Sequence, residues 1–205
     1  MLYLVVHCDS ESGREAFDTL LSPEGARRAQ HLSTLMETLG VQSVFTAPNR
    51  RSLDTLLPYT TARAASGKYL RTEVHYNLSN AVLIDFSYNS LKPQPMTLEF
   101  IKKYGLNRQS LYGTIPGLED LGAHQRRVIE WYTNHLIPEY EGCPYPTAIV
   151  ADRHTIATLV SYMMTRKGTG TDQDAANAVV SALAPGAVLE FGFDNMALAL
   201  KRRVI

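Results

Sequence analysis

Leu2-Tyr3-Leu4-Val5-Val6-His7-Cys8-Asp9-Ser10 is the stretch that decides how the rest of this chain reads. The apolar run Leu2 to Val6 is too short for a buried helix and suits a strand covered on both faces, as strands of parallel sheets are. It delivers one imidazole, His7, into a polar segment at the strand's carboxyl end. Scaffold elements hold a side chain more rigidly than loops do, which makes His7 a candidate nucleophile.

Working outward, spans 41–45 and 147–151 share the same apolar, strand-forming character. Between the strands lie helices. Ser22-Pro23-Glu24 supplies an N-cap, a proline at the first helical position and an early acid. Ala29, Leu32, Leu35, Met36 and Leu39 follow at helical spacing until Gly40 ends the run. A second helix covers 49–65. Segment 119–138 places Val128, Trp131, Tyr132, His135 and Leu136 on one face, with Pro138 as its stop. Ile156, Leu159, Val160 and Met163 mark a helix directly after a strand, and 172–183 a last one. Gly186 to Phe191, then Asp194-Asn195, then Met196 to Leu200 read as a terminal hairpin whose second arm is strand or helix.

This alternation predicts an α/β fold, a mostly parallel central sheet with helices on both faces, in one domain over 1–205. Residues 71–117 break the pattern with Pro93, Pro95, Pro116, many Tyr and Asn, and one short helical candidate near 97–104. They read as an irregular, cap-like insertion over the strand ends, where open α/β sheets place their sites.

Composition narrows the function classes. Lys plus Arg and Asp plus Glu are 20 each, so there is no net charge to attract nucleic acid in bulk. No apolar stretch reaches the roughly 18 residues of a membrane span, and the start lacks signal-peptide features, so a cytoplasmic protein is expected. Cys8 and Cys143 form neither a disulfide framework nor a metal-ligand spacing, and no metal or cofactor is expected. Cys8 neighbours His7 on a strand, so the two side chains should diverge and Cys8 reads as a small buried residue.

The order of motifs resembles the histidine phosphatase superfamily, the phosphoglycerate mutase-like fold, over nearly the whole chain. Leu4-Val5-Val6-His7-Cys8-Asp9-Ser10 occupies the place of its L-V-R-H-G-E-T strand. Leu21-Ser22-Pro23-Glu24-Gly25-Ala26-Arg27-Arg28-Ala29 matches L-T-x-x-G-x-x-Q-A. Phe45-Thr46-Ala47-Pro48-Asn49-Arg50-Arg51-Ser52-Leu53-Asp54-Thr55 matches a strand followed by S-S-P-L-x-R-A-x-Q-T. Val150-Ala151-Asp152-Arg153-His154-Thr155-Ile156 matches V-S-H-G-G-x-I in part. Glu119 and Arg127 fall where the family has a Glu and an Arg on its penultimate long helix.

The resemblance implies a histidine that takes up a phosphoryl group, arginines and a second histidine around the phosphate, and an acid from the insertion that protonates the leaving oxygen. Such chemistry rests on positioning and on cationic stabilisation of spread negative charge. Carried over residue by residue, His7 is the nucleophile position and Arg51 a phosphate-binding position. Val6 stands at the first arginine position, Asp152 at the second histidine position and Asn80 at the acid position, and none supplies the expected group.

His154 is a possible substitute, since on an extended chain it points to the same side as Asp152. Arg50 and Arg153 offer charge, and Glu73 or Glu11 a proton. Three readings stay open: a degenerate member that binds a protein partner, an active phosphomonoesterase working through a phosphohistidine at His7, and a non-catalytic anion or nucleotide binder. A phosphorylated small molecule is the expected ligand class for an active site of this kind, and neither nucleic acid nor membrane is an expected partner.

Overall fold

The computed structural model describes residues 1–11, 20–79, 121–142, 145–165, 173–194 and 197–204. Strand β1 (Leu2–Val6) is wholly buried and lies between β4 (Thr147–Ala151), parallel to it, and β5 (Val188–Asp194), antiparallel to it. Strands β2 (Ser43–Thr46) and β3 (Arg71–Val74) extend the parallel part, and β6 (Ala197–Arg203) closes the other edge. The six described strands run in the order β3-β2-β4-β1-β5-β6. The α/β expectation of a mostly parallel sheet therefore holds, and the open arm of the terminal hairpin is a strand.

Alternation along the strands splits the core in two. Tyr3, Val5, Val44 and Val150 pack under helices α1 (Pro23–Thr38) and α2 (Arg50–Ala65), against Leu32, Met36, Leu56 and Tyr59. Leu2, Leu4, Val6, Ile149 and Ala151 face the opposite layer with Val128, Trp131, Leu159 and Ala176. That layer holds α3 (Leu121–Trp131), α4 (Ile137–Gly142), α5 (Arg153–Thr165) and α6 (Gln173–Ser181). Ser22 caps α1 by accepting from the Gly25 N–H at 3.0 Å, and Asn49 caps α2 by accepting from the Ser52 N–H at 2.9 Å.

Two expectations need correction. Residues 71–74 are not part of an irregular insertion but the edge strand β3, in parallel register with β2 (Phe45 beside Glu73). Its inward-facing residues are Arg71 and Glu73 rather than aliphatics, so the usual apolar signature is missing. Pro138 does not end its helix either. A proline cannot donate to the carbonyl four residues back and crowds it. The chain passes this point with a π-helical turn, Tyr132–Leu136, which links α3 directly to α4. The insertion from residue 80 to 117, with its helical candidate near 97–104, lies outside the described residues.

Candidate active site

The parallel strands β1, β4, β2 and β3 all release their chains at one end of the sheet, and His7, Arg51, Asp152 and His154 gather there. The His7 N–H continues the β1–β4 ladder by donating to the Ala151 carbonyl at 2.9 Å. His7 is 9% exposed, and its Nδ1 lies 2.9 Å from the Cys8 carbonyl oxygen. A carbonyl only accepts, so in the neutral ring the proton sits on Nδ1 and the lone pair on Nε2. Burial pushes the imidazole below its ordinary value of 6.5; the Cys8 carbonyl opposes this, Arg51 lowers it further, and Asp152 and Asp9 pull it up. The result is a neutral ring with a fixed tautomer, which is the form a nucleophile needs.

The β1–β4 register pairs Val6 with Ala151, so one step further on each strand brings His7 alongside Asp152. Asp152 is 3% exposed and caps α5. Its Oδ1 accepts from the backbone N–H groups of His154 (2.8 Å) and Thr155 (3.1 Å), and its Oδ2 accepts from the Thr155 hydroxyl at 2.8 Å. A carboxylate at a helix N-terminus is favourable in its own right. Because α5 begins at Arg153, the extended geometry assumed for His154 does not exist there. His154 instead stands in the first helical turn, half-buried, with its N–H held by Asp152. Arg153 is exposed and donates to the Ser181 carbonyl at 3.4 Å.

Arg51 lies in the first turn of α2, close enough to act on the charge of His7. Arg50 turns outward toward Asp54 at 3.4 Å. Beside Arg51, the Asn49 Nδ2 and Ser52 Oγ atoms are buried without a hydrogen-bond partner among the described residues. The Thr55 hydroxyl accepts from the Cys8 N–H (2.9 Å) and donates to the Arg51 carbonyl (2.7 Å), tying the His7 segment to α2. Val6 is packed in the α3/α5 core layer and offers no donor to an anion. Burial pushes the Cys8 thiol up to about 11, so it stays protonated and unreactive near neutrality. From the α1 side, Gly25 sits so close that a Cβ there would lie 1.9 Å from the Asp9 carbonyl oxygen. Only glycine permits that approach.

Strand β3 leads into a tight turn, Tyr76–Leu78. Arg127 on α3 donates to three carbonyls of this segment, Tyr76 at 3.0 Å, Asn77 at 2.7 Å and Ser79 at 3.3 Å. The Thr155 hydroxyl reaches the Leu78 carbonyl at 3.3 Å, joining the same turn to the start of α5. Asn80 follows immediately and lies outside the described residues, as does Glu119. Glu11 is exposed. Glu73 is not near His7: three strand spacings separate β3 from β1, about 14 Å. It belongs instead to a cluster with His75 and His135 that sequence reading did not assemble.

Comparison with known proteins supplies the frame for this geometry. The family model described as histidine phosphatase superfamily (branch 1) matches residues 2–187. No curated protein matches the sequence significantly. Among solved structures, the α-ribazole phosphatase of Shigella flexneri superposes with a TM-score of 0.72 at 16% identity, covering 98% of this chain and 94% of its own. A mycobacterial glucosyl-3-phosphoglycerate phosphatase in complex with VO3 gives 0.62 at 18% identity, covering 100% and 97%. The phosphoserine phosphatase of Entamoeba histolytica, in complex with 3-phosphoglyceric acid, gives 0.62 at 13%, covering 98% and 95%. At such identities the likeness is one of fold.

Proposed function

This chain belongs to the histidine phosphatase superfamily, and we propose that within it the protein is a degenerate member: it retains a pocket for a phosphorylated small molecule but turns phosphomonoesters over weakly or not at all, and acts by binding, with a protein partner as a further candidate. The observation that carries this reading is Asp152, a buried carboxylate placed by strand register beside His7 and fixed by the α5 cap. A like charge about 4 Å from an incoming phosphate costs on the order of 4 kcal/mol at an effective dielectric near 20. Arg51 opposes that cost alone at the positions carried over, since Val6 cannot donate. Asn80, at the acid position, cannot deliver a proton, and a missing general acid typically slows reaction by about 10² to 10⁴. The insertion after Ser79 would cap this pocket as part of a single domain, and a cytoplasmic setting fits the same reading.

A second reading, an active phosphomonoesterase, is favoured by one specific feature. The Cys8 carbonyl fixes the His7 proton on Nδ1 and leaves Nε2 free to attack phosphorus. Turnover of an aryl phosphate by the purified protein and by His7→Ala separates the two. The degenerate reading expects turnover by the parent protein that is at background or only slightly above it. Turnover that is well above background and disappears in His7→Ala would establish the phosphohistidine route.

A further inference from the structure

The edge of the sheet farthest from β5 carries a group of side chains that the phosphate pocket does not use. Glu73 on β3 and His75, the still-extended residue just past its end, are two apart along the chain, so both face the helical layer, and Glu73 sits beside Phe45 in register. His135 comes from the π-turn between α3 and α4, and Glu139 from the first turn of α4. Single ligand atoms of Glu73, His75 and His135 lie within 4.8 Å of one another.

The atoms divide in an orderly way. Oε1 of Glu73 and Oε1 of Glu139 both face the Arg71 guanidinium, with the Arg71 Nε donating to Glu73 at 2.6 Å. The two Oε2 atoms face imidazole instead. Glu73 Oε2 is 3.1 Å from His75 Nε2 and 3.7 Å from His135 Nε2, and Glu139 Oε2 is 3.6 Å from His135 Nε2. Although the His135 side chain is 42% exposed, its Nε2 atom is shielded and has no hydrogen-bond partner among the described residues.

At 3.6 and 3.7 Å those contacts are too long for a hydrogen bond. They are close to the spacing between two ligands of one small cation. For tetrahedral zinc, with bonds near 2.05 Å, neighbouring ligand atoms stand about 3.3 Å apart.

Other features suit a cation. With neutral imidazoles the two carboxylates outweigh Arg71 and leave a net negative charge, which a divalent ion would compensate. The rings are held from behind: Trp131 stands 5.3 Å from His75 and Phe45 stands 6.0 Å from His135, centroid to centroid. Arg71 occupies the outer-sphere place, fixing both carboxylates by their second oxygens, as partners of metal ligands commonly do. A cavity of about 300 Å³ that includes Arg71, Glu139 and Phe45 in its lining adjoins the cluster and gives it an approach from solvent.

We propose that Glu73, His75 and His135, with Glu139 completing the set, form a structural site for a divalent transition metal ion of the zinc type. Two imidazoles and two carboxylates are a ligand set that zinc accepts and that hard cations such as magnesium or calcium do not prefer. An ion there clamps the edge strand β3 to the α3–α4 helix. The metal-free alternative is that Arg71, the two acids and the hydrogen bond between the His75 Nε2–H and Glu73 hold the edge together by themselves.

Titrating chelator-treated protein with Zn2+ in a calorimeter, and with Co2+ by visible absorption, distinguishes them. The expected result is saturable uptake of one ion per chain, with a Co2+ spectrum of tetrahedral intensity. His135→Gln should weaken Zn2+ at least tenfold, the joint replacement of His75 and His135 should abolish uptake, and His31→Ala on the exposed face of α1 should change nothing. Circular dichroism of each variant shows whether it has folded; if the joint replacement does not fold, His135→Gln, altered at the half-exposed ring, decides alone. No saturable uptake by the parent protein, or affinity unchanged in His135→Gln, overturns the proposal.

Discussion

At the end of β1 and along the edge of β3 this molecule places imidazole beside carboxylate, and the two places differ in what they can hold. The β1 imidazole is single and almost fully buried, with its Nδ1–H committed to the Cys8 carbonyl. The carboxylate beside it is committed to the backbone N–H groups of α5. At β3 two half-exposed imidazoles turn Nε2 atoms toward carboxylate oxygens whose partners on the other side are one arginine. The same residue types therefore point toward an anion pocket at one site and a cation site at the other. What decides is the wiring around each ring and the number of acids left facing it.

Gly25→Ala drives a Cβ into the Asp9 carbonyl and should destabilise the protein by about 3 kcal/mol, lowering Tm by roughly 6–12 °C. Below its Tm that variant should still take up Zn2+ at the β3 edge, because the strain is confined to the loop behind His7. An unchanged Tm in thermal unfolding would mean that the loop is not held by this approach.

Asp152→Ala removes the cap of α5 and should cost about 1 kcal/mol, whereas Asp152→Asn, an equally good cap, should keep the urea midpoint of the parent. Equal losses in both variants would show that the charge, not the cap, is what α5 uses.

The smallest effect concerns pH. The folded His7 has a pKa below its ordinary 6.5, so the unfolded chain gains a proton first as pH falls. The stability that neutral His7 contributes is full above 6.5 and is lost as pH drops below it, toward the lowered folded value. The stability difference between the parent and His7→Asn should thus be flat near neutrality and shrink on acidification. A difference independent of pH from about 7.5 to 5.5 would contradict the burial argument.

How much of this was legible in the sequence follows from where each residue's partners lie. Strand β1 with His7, the cap at Ser22, and the α1 and α2 helices could be read because their signals are local: apolar runs, spacing and a capping residue. Strand β3 hid because Arg71-Thr72-Glu73-Val74 puts charges, not aliphatics, toward its neighbours, and those charges are satisfied by each other, by His75 and by Glu139, more than sixty positions away. Pro138 misled for a related reason: a π-turn accommodates it, and nothing in the sequence announces one. Arg127 could be placed on its helix, but its bonds to the carbonyls after β3 come only with the fold. Glu73-x-His75 and His135-x-x-x-Glu139 are each unremarkable alone, and only the packing of a strand edge on a helix joins them.

The degenerate reading turns on the charge of Asp152, and one titration tests it most directly. Orthovanadate, as a phosphate mimic, is titrated into the parent protein and into Asp152→Asn, which keeps the Oδ1 cap of α5, turns the Thr155 contact round so that the new amide donates to that hydroxyl, and removes the negative charge. Vanadate should bind Asp152→Asn at least tenfold more tightly than it binds the parent protein. Equal affinity in the two proteins, or weaker binding once the carboxylate is gone, would contradict it.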